Sequence, residues 1–266
     1  MKELNITFIG AGNMAEALIA GLISHGHDAS RITISDINSE RLTYMEDHYH
    51  VHSEADNNTA IAQANAVVLA VKPQQMAQVL SGFATVDANT TVISIAAGKS
   101  IDSLQQDLNQ PHVPLVRVMP NTPALLGAGM SVLFTQADAV HHQRADYIFN
   151  CVGETAWVEK ESMMNAVTAL SGSGPAYFFL LAELMQGAGE TMGLSPEVAA
   201  QLVAQTAMGA GKMLKESGRS AATLREQVSS PGGTTLAALD CMFEKGIADA
   251  VRSGVRAAER RSRELS

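Results

Sequence analysis

Apolar residues along the chain fall into two regimes. From residue 4 to about 158 they gather in short β-rich runs, "NITFIG", "RITIS", "NAVVLAV", "TTVISIAAG", "PLVRVMP" and "GMSVLF", separated by amphipathic or polar stretches. That alternation predicts βαβ units and a mainly parallel, doubly wound sheet. After Trp157 the runs lengthen and fill with Ala, Leu, Met, Glu and Gln, and apolar side chains recur at helical spacing, as at Phe178, Leu181, Ala182 and Met185. Ser195-Pro196-Glu197 reads as a helix start, with a serine cap, a proline at the first helical position and an acid facing the positive end of the helix dipole. The expected organisation is an α/β domain over 1–160 and an all-α domain over 161–266, with the boundary near Glu159 to Met163.

Composition narrows the function classes. A chain of 266 residues with 46% hydrophobic residues describes a folded protein. The apolar run before Gly10 is too short for a secretory signal, and no window approaches the roughly 18 uncharged apolar residues of a membrane span, so the expected location is the cytoplasm, away from membranes. Cys151 and Cys241 lie far apart and form no metal or disulfide pattern. A net charge of −9 argues against nucleic acid as a partner. Small residues in "AMGAGKM" and "LMQGAGETMG" leave helix faces free for close packing, including packing between chains.

The first strand runs into "GAGNMA". Gly10, Gly12 and Ala15 stand at the three positions of the dinucleotide-binding turn, where they permit a tight turn, backbone approach to a pyrophosphate and close helix-to-sheet packing. Asp36 ends the second strand. There a carboxylate accepts hydrogen bonds from an adenosine ribose and favours NADH; the alternative is a loop residue that caps the helix at Ser39, and Arg41 stands near enough in sequence to hold a phosphate. "AVKPQQ" and "IAAGKS" end the next two strong strands, where parallel sheets bind ligands, and Lys72 reads equally as an anion contact or a solvated loop lysine.

Other features invite chemistry. "HYHVH" sets His48, His50 and His52 at alternate positions, expected to be one face of an exposed polar strand rather than a metal site, since no acid or cysteine is arranged with them. Arg252, Arg256 and Arg260 form a stripe at helical spacing that reads as a solvated helix face. "SSPGGTT", residues 229 to 235, interrupts the helical half with two glycines, a proline and four hydroxyls, as a linker does.

The ordered blocks "FIGAGNM", "AVKP", "SIAAG", "RVMPNTP", "LSGSGPAY" and "SSPGGTT" span almost the whole chain and closely resemble the pyrroline-5-carboxylate reductases. The resemblance implies a Rossmann domain followed by an all-helical dimerisation domain, and NADPH- or NADH-dependent reduction of L-1-pyrroline-5-carboxylate to L-proline. It further implies a homodimer with active sites at its interface, joined into larger rings in some members. Carried onto this chain, the dinucleotide turn falls on Ile9, Gly10, Ala11, Gly12, Asn13 and Met14, with adenosine-side contacts at Asp36 and Asn57. Nicotinamide-side contacts fall on Val71, Lys72, Pro73, Ile95 and Ala97, and substrate contacts on Glu161, Thr234 and Thr235. Asp36 departs from relatives that carry a hydroxyl there, which weakens an expectation of NADPH, and Gln227 stands where some relatives use asparagine.

That resemblance gives "SSPGGTT" a purpose. Backbone N–H groups of Gly233, Thr234 and Thr235 at a helix start suit the substrate's carboxylate, and the Thr235 hydroxyl is the first candidate to hold the ring nitrogen. Asn121 in "MPNTP" is a candidate neighbour of the nicotinamide, or part of a rigid turn. Two rivals remain. A 3-hydroxyacid dehydrogenase needs a lysine that "NAVTALSGSGPAYFFLL" lacks, and a silent dinucleotide sensor has little use for an intact "SSPGGTT".

Overall fold

A computed structural model of the chain describes residues 1–265 and divides into two compact units, Met1–Ser173 together with the chain from Ala258 onward, and Gly174–Ala257. In the first unit the strands are β1 (Ile6–Ile9), β2 (Ile32–Ser35), β3 (His52–Ser53), β4 (Ala66–Leu69), β5 (Thr91–Ser94), β6 (Leu115–Met119), β7 (Gly129–Thr135) and β8 (Gly153–Trp157). Between them run α1 (Asn13–Ser24), α2 (Ser39–Tyr49), α3 (Asn57–Ile61), α4 (Met76–Ser81), α5 (Ile101–Leu108) and α6 (Ala139–Phe149). After β8 follow α7 (Met164–Val167) and a π turn over Thr168–Gly172.

The strands form one sheet in the order β3-β2-β1-β4-β5-β6-β7-β8. All neighbouring pairs are parallel except β6 and β7, which run antiparallel. The expected doubly wound α/β architecture is therefore present, and its strand order reverses direction between β1 and β4, which is where such sheets open a ligand crevice. Strand alternation distributes the core. Ile6, Phe8, Ala66 and Val68 point into one apolar cluster with α1 and α6, whereas Ile9, Val67 and Leu69 point into another with α4 and α5. Burial on both faces explains why these strands read as continuous apolar runs.

Two strands escape the sequence pattern. β3 is only two residues long, and β8, "GETAW", is polar and partly exposed. The "HYHVH" reading is also corrected. His48 lies in the last turn of α2, stacked on Tyr44 and edge-on to Tyr49; His50 turns the chain in the left-handed region at φ 57°; only His52 enters a strand.

The second unit carries α8 (Gly174–Thr191), α9 (Pro196–Glu216), α10 (Ala221–Gln227) and α11 (Thr234–Glu244), and α12 (Ile247–Glu264) begins in it. Ser195 caps α9 as read from sequence, its Oγ accepting from Val198 N at 3.3 Å. A side chain at Gly189 of α8 would come within 3.3 Å of Ala199 in α9, so the small residue permits the close crossing. The unit buries few large side chains: Phe178 and Phe179 are each 66% exposed, and Leu184 63%.

The residues after Ala258 belong to the first unit through specific contacts. Ser262 Oγ donates to Asn165 Oδ1 at 2.9 Å, and a side chain at Gly98 would meet the Leu265 carbonyl at 2.7 Å.

Candidate active site

At the end of β1 the chain turns through Gly10 at φ +103°, where a Cβ would lie 2.7 Å from the Ala70 carbonyl oxygen, so only glycine fits. Ala11 follows, its N–H donating to Asp36 Oδ2 at 2.7 Å, while Gly10 N donates to Ser35 O at 2.7 Å. Gly12 is the N-cap of α1 and differs from Gly10 in kind: nothing lies within 4 Å of where its Cβ would be, and no side chain caps the helix. The first amides of α1 are thus left without a side-chain cap, and buried Ala15 lets α1 press on the sheet. This is a cradle shaped for a pyrophosphate, and the residues fit a dinucleotide.

Beside the turn lies a cleft of about 450 Å³ whose lining includes Ile9, Gly10, Asp36, Asn57 and Val71. Asn57 Oδ1 accepts from Ser35 Oγ at 2.8 Å, which ties the start of α3 to the end of β2. The other Asp36 oxygen accepts from Asn38 N at 2.9 Å, and it is Asn38, through Arg41 N at 3.1 Å, that caps the helix at Ser39. The capping alternative for Asp36 is thereby corrected. Lys72 is exposed at the head of a short 3-10 turn that Pro73 opens, Ile95 packs on the core, and Ala97 is half-buried in the loop after β5.

Arg41 does not stand free. Its Nε donates to the Ala11 carbonyl at 2.7 Å and its guanidinium pairs with the Glu16 carboxylate, over the ring of Tyr44. Tyr49 and Tyr44 hydroxyls donate to the second Glu16 oxygen at 2.9 and 3.1 Å. Burial pushes the Glu16 carboxyl up, but the hydrogen bonds from Arg41, Tyr49 and Tyr44 outweigh it and leave it below its usual range. Tyr49, partly buried and bonded to that carboxylate, is pushed up to about 12.

Glu161 sits far along the chain from this turn but in the same unit. Its Oε1 accepts from Arg117, on β6, at 3.0 Å and from Ile101 N, the first amide of α5, at 2.8 Å. Arg117 is almost fully buried, and sequence reading passed over it. A lone arginine inside the apolar strand "PLVRVMP" was the available signal, since a buried charge requires a partner. Asn121 also has a structural occupation: Nδ2 donates to Ser171 O at 3.2 Å and Oδ1 accepts from Met130 N at 2.9 Å.

In the second unit Gly232 turns at φ +72° and Gly233 is the N-cap of α11. A Cβ on Gly233 would strike Ser230 Oγ at 2.6 Å, and no side chain caps the helix. Thr234 is exposed and Thr235 half-buried within the first turn. Side chains of Asn38, Asp56, Ser100, Ser195 and Ser220 cap other helices; α4, α6 and α7 start without a side-chain cap, and so do α1 and α11, each with a glycine start. Those are the two starts that sequence reading gave to anions. Gln227 accepts from Arg219 at 2.8 Å.

Comparison with known proteins agrees with this geometry. The family model "Pyrroline-5-carboxylate reductase dimerisation" matches residues 161–265, and "NADP oxidoreductase coenzyme F420-dependent" matches residues 5–98. The chain is 43% identical to the pyrroline-5-carboxylate reductase of Pseudomonas aeruginosa over 100% of its own length and 98% of that relative. A solved pyrroline-5-carboxylate reductase from Coxiella burnetii superposes with a TM-score of 0.92 at 38% identity, covering 99% of this chain and 98% of that one. The Plasmodium falciparum pyrroline carboxylate reductase, solved with NADP bound, gives 0.88 at 28% identity over 100% and 99% of the two chains. Identity at this level along the full chain decides between the rivals left open by sequence: the protein belongs to the pyrroline-5-carboxylate reductases, oxidoreductases that reduce L-1-pyrroline-5-carboxylate to L-proline with NAD(P)H.

Proposed function

We propose that the chain performs this reduction with the dinucleotide held by the turn Ile9–Met14 and the cleft beside it, and with the imine's carboxylate received at Gly233, Thr234 and Thr235. The observation that carries the reading is the glycine start of α11, which has no side-chain cap and is the positive end of the helix dipole. When bound, the nicotinamide supplies the hydride that reduces the C=N carbon. Asp36 and Asn57 are assigned to the adenosine side; Val71, Lys72, Pro73, Ile95 and Ala97, at the ends of β4 and β5, to the nicotinamide side.

The chain's own contribution is orientation and charge. Amides at the start of α11 hold the carboxylate without a bulky, strongly hydrated lysine, and the Thr235 hydroxyl fixes the ring nitrogen. A cyclic imine can take its proton from water, so a histidine acid is not required. Glu161 is assigned to the substrate side, with its Oε1 also holding the start of α5. The direct test is NAD(P)H oxidation with pyrroline-5-carboxylate against a panel of 3-hydroxyacids; turnover of the hydroxyacids alone rejects the reading.

We further infer a homodimer built through residues 161–266, with 1–160 as the nucleotide-binding domain. The dimerisation model that begins at residue 161 and the apolar side chains exposed on α8 support it, because so much apolar surface is rarely left to water. Light scattering tests this, and a fully active monomer contradicts it. Two free thiols, one buried, fit a cytoplasmic enzyme.

A further inference from the structure

We propose that Glu16 is a cofactor-specificity residue: by holding Arg41 on the dinucleotide turn it withdraws that cation from a 2′-phosphate, and together with Asp36 it makes the cleft select NADH over NADPH. The inference rests on the reading of this cleft as the dinucleotide site.

Three observations converge. First, the acid at the end of β2 is where this fold meets the adenosine ribose, and Asp36 there is fixed by two backbone amides, Ala11 N and Asn38 N, so its charge cannot swing away. Second, the residues lining the cleft include two carboxylates, Asp36 and Asp56, and no lysine, arginine or histidine. A ribose hydroxyl is a welcome donor in such surroundings; a phosphate dianion meets two like charges with nothing to offset them.

Third, the arginine that sequence position nominates for a phosphate is engaged elsewhere. Its Nε is bonded to the Ala11 carbonyl and its charge is neutralised by Glu16. Glu16 is itself immobilised, with one oxygen on Arg41 and the other on two tyrosine hydroxyls, and the side chains of Arg41 and Glu16 are only 26% and 22% exposed. For Arg41 to reach a phosphate it must leave a carboxylate that retains only the tyrosines. Arg41 is thus a positioning residue for the turn, and Glu16 keeps it so.

The experiment measures dissociation constants of NADH and NADPH by nicotinamide fluorescence, alongside kcat/KM with pyrroline-5-carboxylate, for wild type, Glu16→Gln, Asp36→Ser, the double variant and Arg41→Met. Wild type is expected to bind NADH at least about tenfold more tightly than NADPH. Asp36→Ser narrows the ratio by about five- to tenfold, and Glu16→Gln added to it frees Arg41 and narrows the ratio beyond the product of the single effects. Arg41→Met weakens both cofactors by the same factor. Tighter NADPH binding by wild type, or loss of NADPH affinity alone in Arg41→Met, overturns the proposal. So does an unchanged ratio when Glu16→Gln is added to Asp36→Ser. Should Glu16→Gln not fold, the wild-type ratio and Arg41→Met still decide. Binding with the expected ratio but no turnover of pyrroline-5-carboxylate leaves the proposal standing and removes the assigned reaction instead.

Discussion

The amide of Asn121 donates to the carbonyl of Ser171, the acceptor that Pro175 leaves empty because proline has no N–H to return four residues back along the helix. The helix accommodates that proline with a π turn, Ser173 N reaching Thr168 O at 2.8 Å. Asn121→Ala should orphan the carbonyl and the Met130 amide and destabilise the protein by about 1 to 3 kcal/mol. Urea denaturation measures this; an unchanged midpoint shows that water replaces the side chain at no cost.

Gly10 and Gly12 should fail in different ways. Gly10→Ala drives a Cβ into the Ala70 carbonyl at a positive φ and should lower stability by about 2 kcal/mol or more, whereas Gly12→Val projects into open space and should fold normally. The Gly12→Val side chain fills the place of the pyrophosphate, so nicotinamide fluorescence should register no binding. Wild-type affinity in folded Gly12→Val would falsify the assignment of the turn.

Thr235→Val nearly conserves volume and deletes a hydroxyl. No side chain caps α11, so valine should change stability by less than about 0.5 kcal/mol. If the hydroxyl holds the ring nitrogen, kcat/KM should fall by about 2 to 4 kcal/mol, with cofactor affinity unchanged. Thermal melting and steady-state kinetics on one sample separate the two effects, and wild-type kcat/KM removes Thr235 from the mechanism.

Two buried histidines should make stability depend on mildly acid pH. Burial, the largest influence on each, lowers His27 and His141 from 6.5, and their ring nitrogens rest on the Tyr147 hydroxyl at 2.9 Å and the Thr91 hydroxyl at 2.8 Å. As pH falls below about 6.5 the unfolded chain takes up these protons before the folded one does. Stability should be fully present above that pH and decline until the lowered folded-state values are passed. Denaturation midpoints between pH 7.5 and 5.5 should show the decline, and His141→Gln should flatten it; a flat wild-type profile contradicts the buried neutral state.

Legibility followed the range of the interactions. Strands β1, β2 and β4 to β7 were plain because burial on both faces makes their residues uniformly apolar, and the Ser195 cap was plain because it acts across three residues. β8 was hidden because "GETAW" is partly exposed and carries no apolar run. The Glu16–Arg41 pair joins residues 25 apart, and Glu161–Arg117 residues 44 apart; no periodicity reports such contacts. For Glu161 the family motif indicated a substrate contact, while the local chemistry it performs, neutralising a buried arginine and holding the α5 start, became visible only with the fold.

Synthesis runs from the N-terminus, and the α/β unit is made from both sides of the helical one. Gly98 has Leu265 packed against it and Asn165 receives Ser262, so the loop after β5 waits for residues that leave the ribosome some 160 positions later. The nucleotide-binding unit thus cannot close its last contacts on the nascent chain until the helices of Gly174–Ala257 have already emerged.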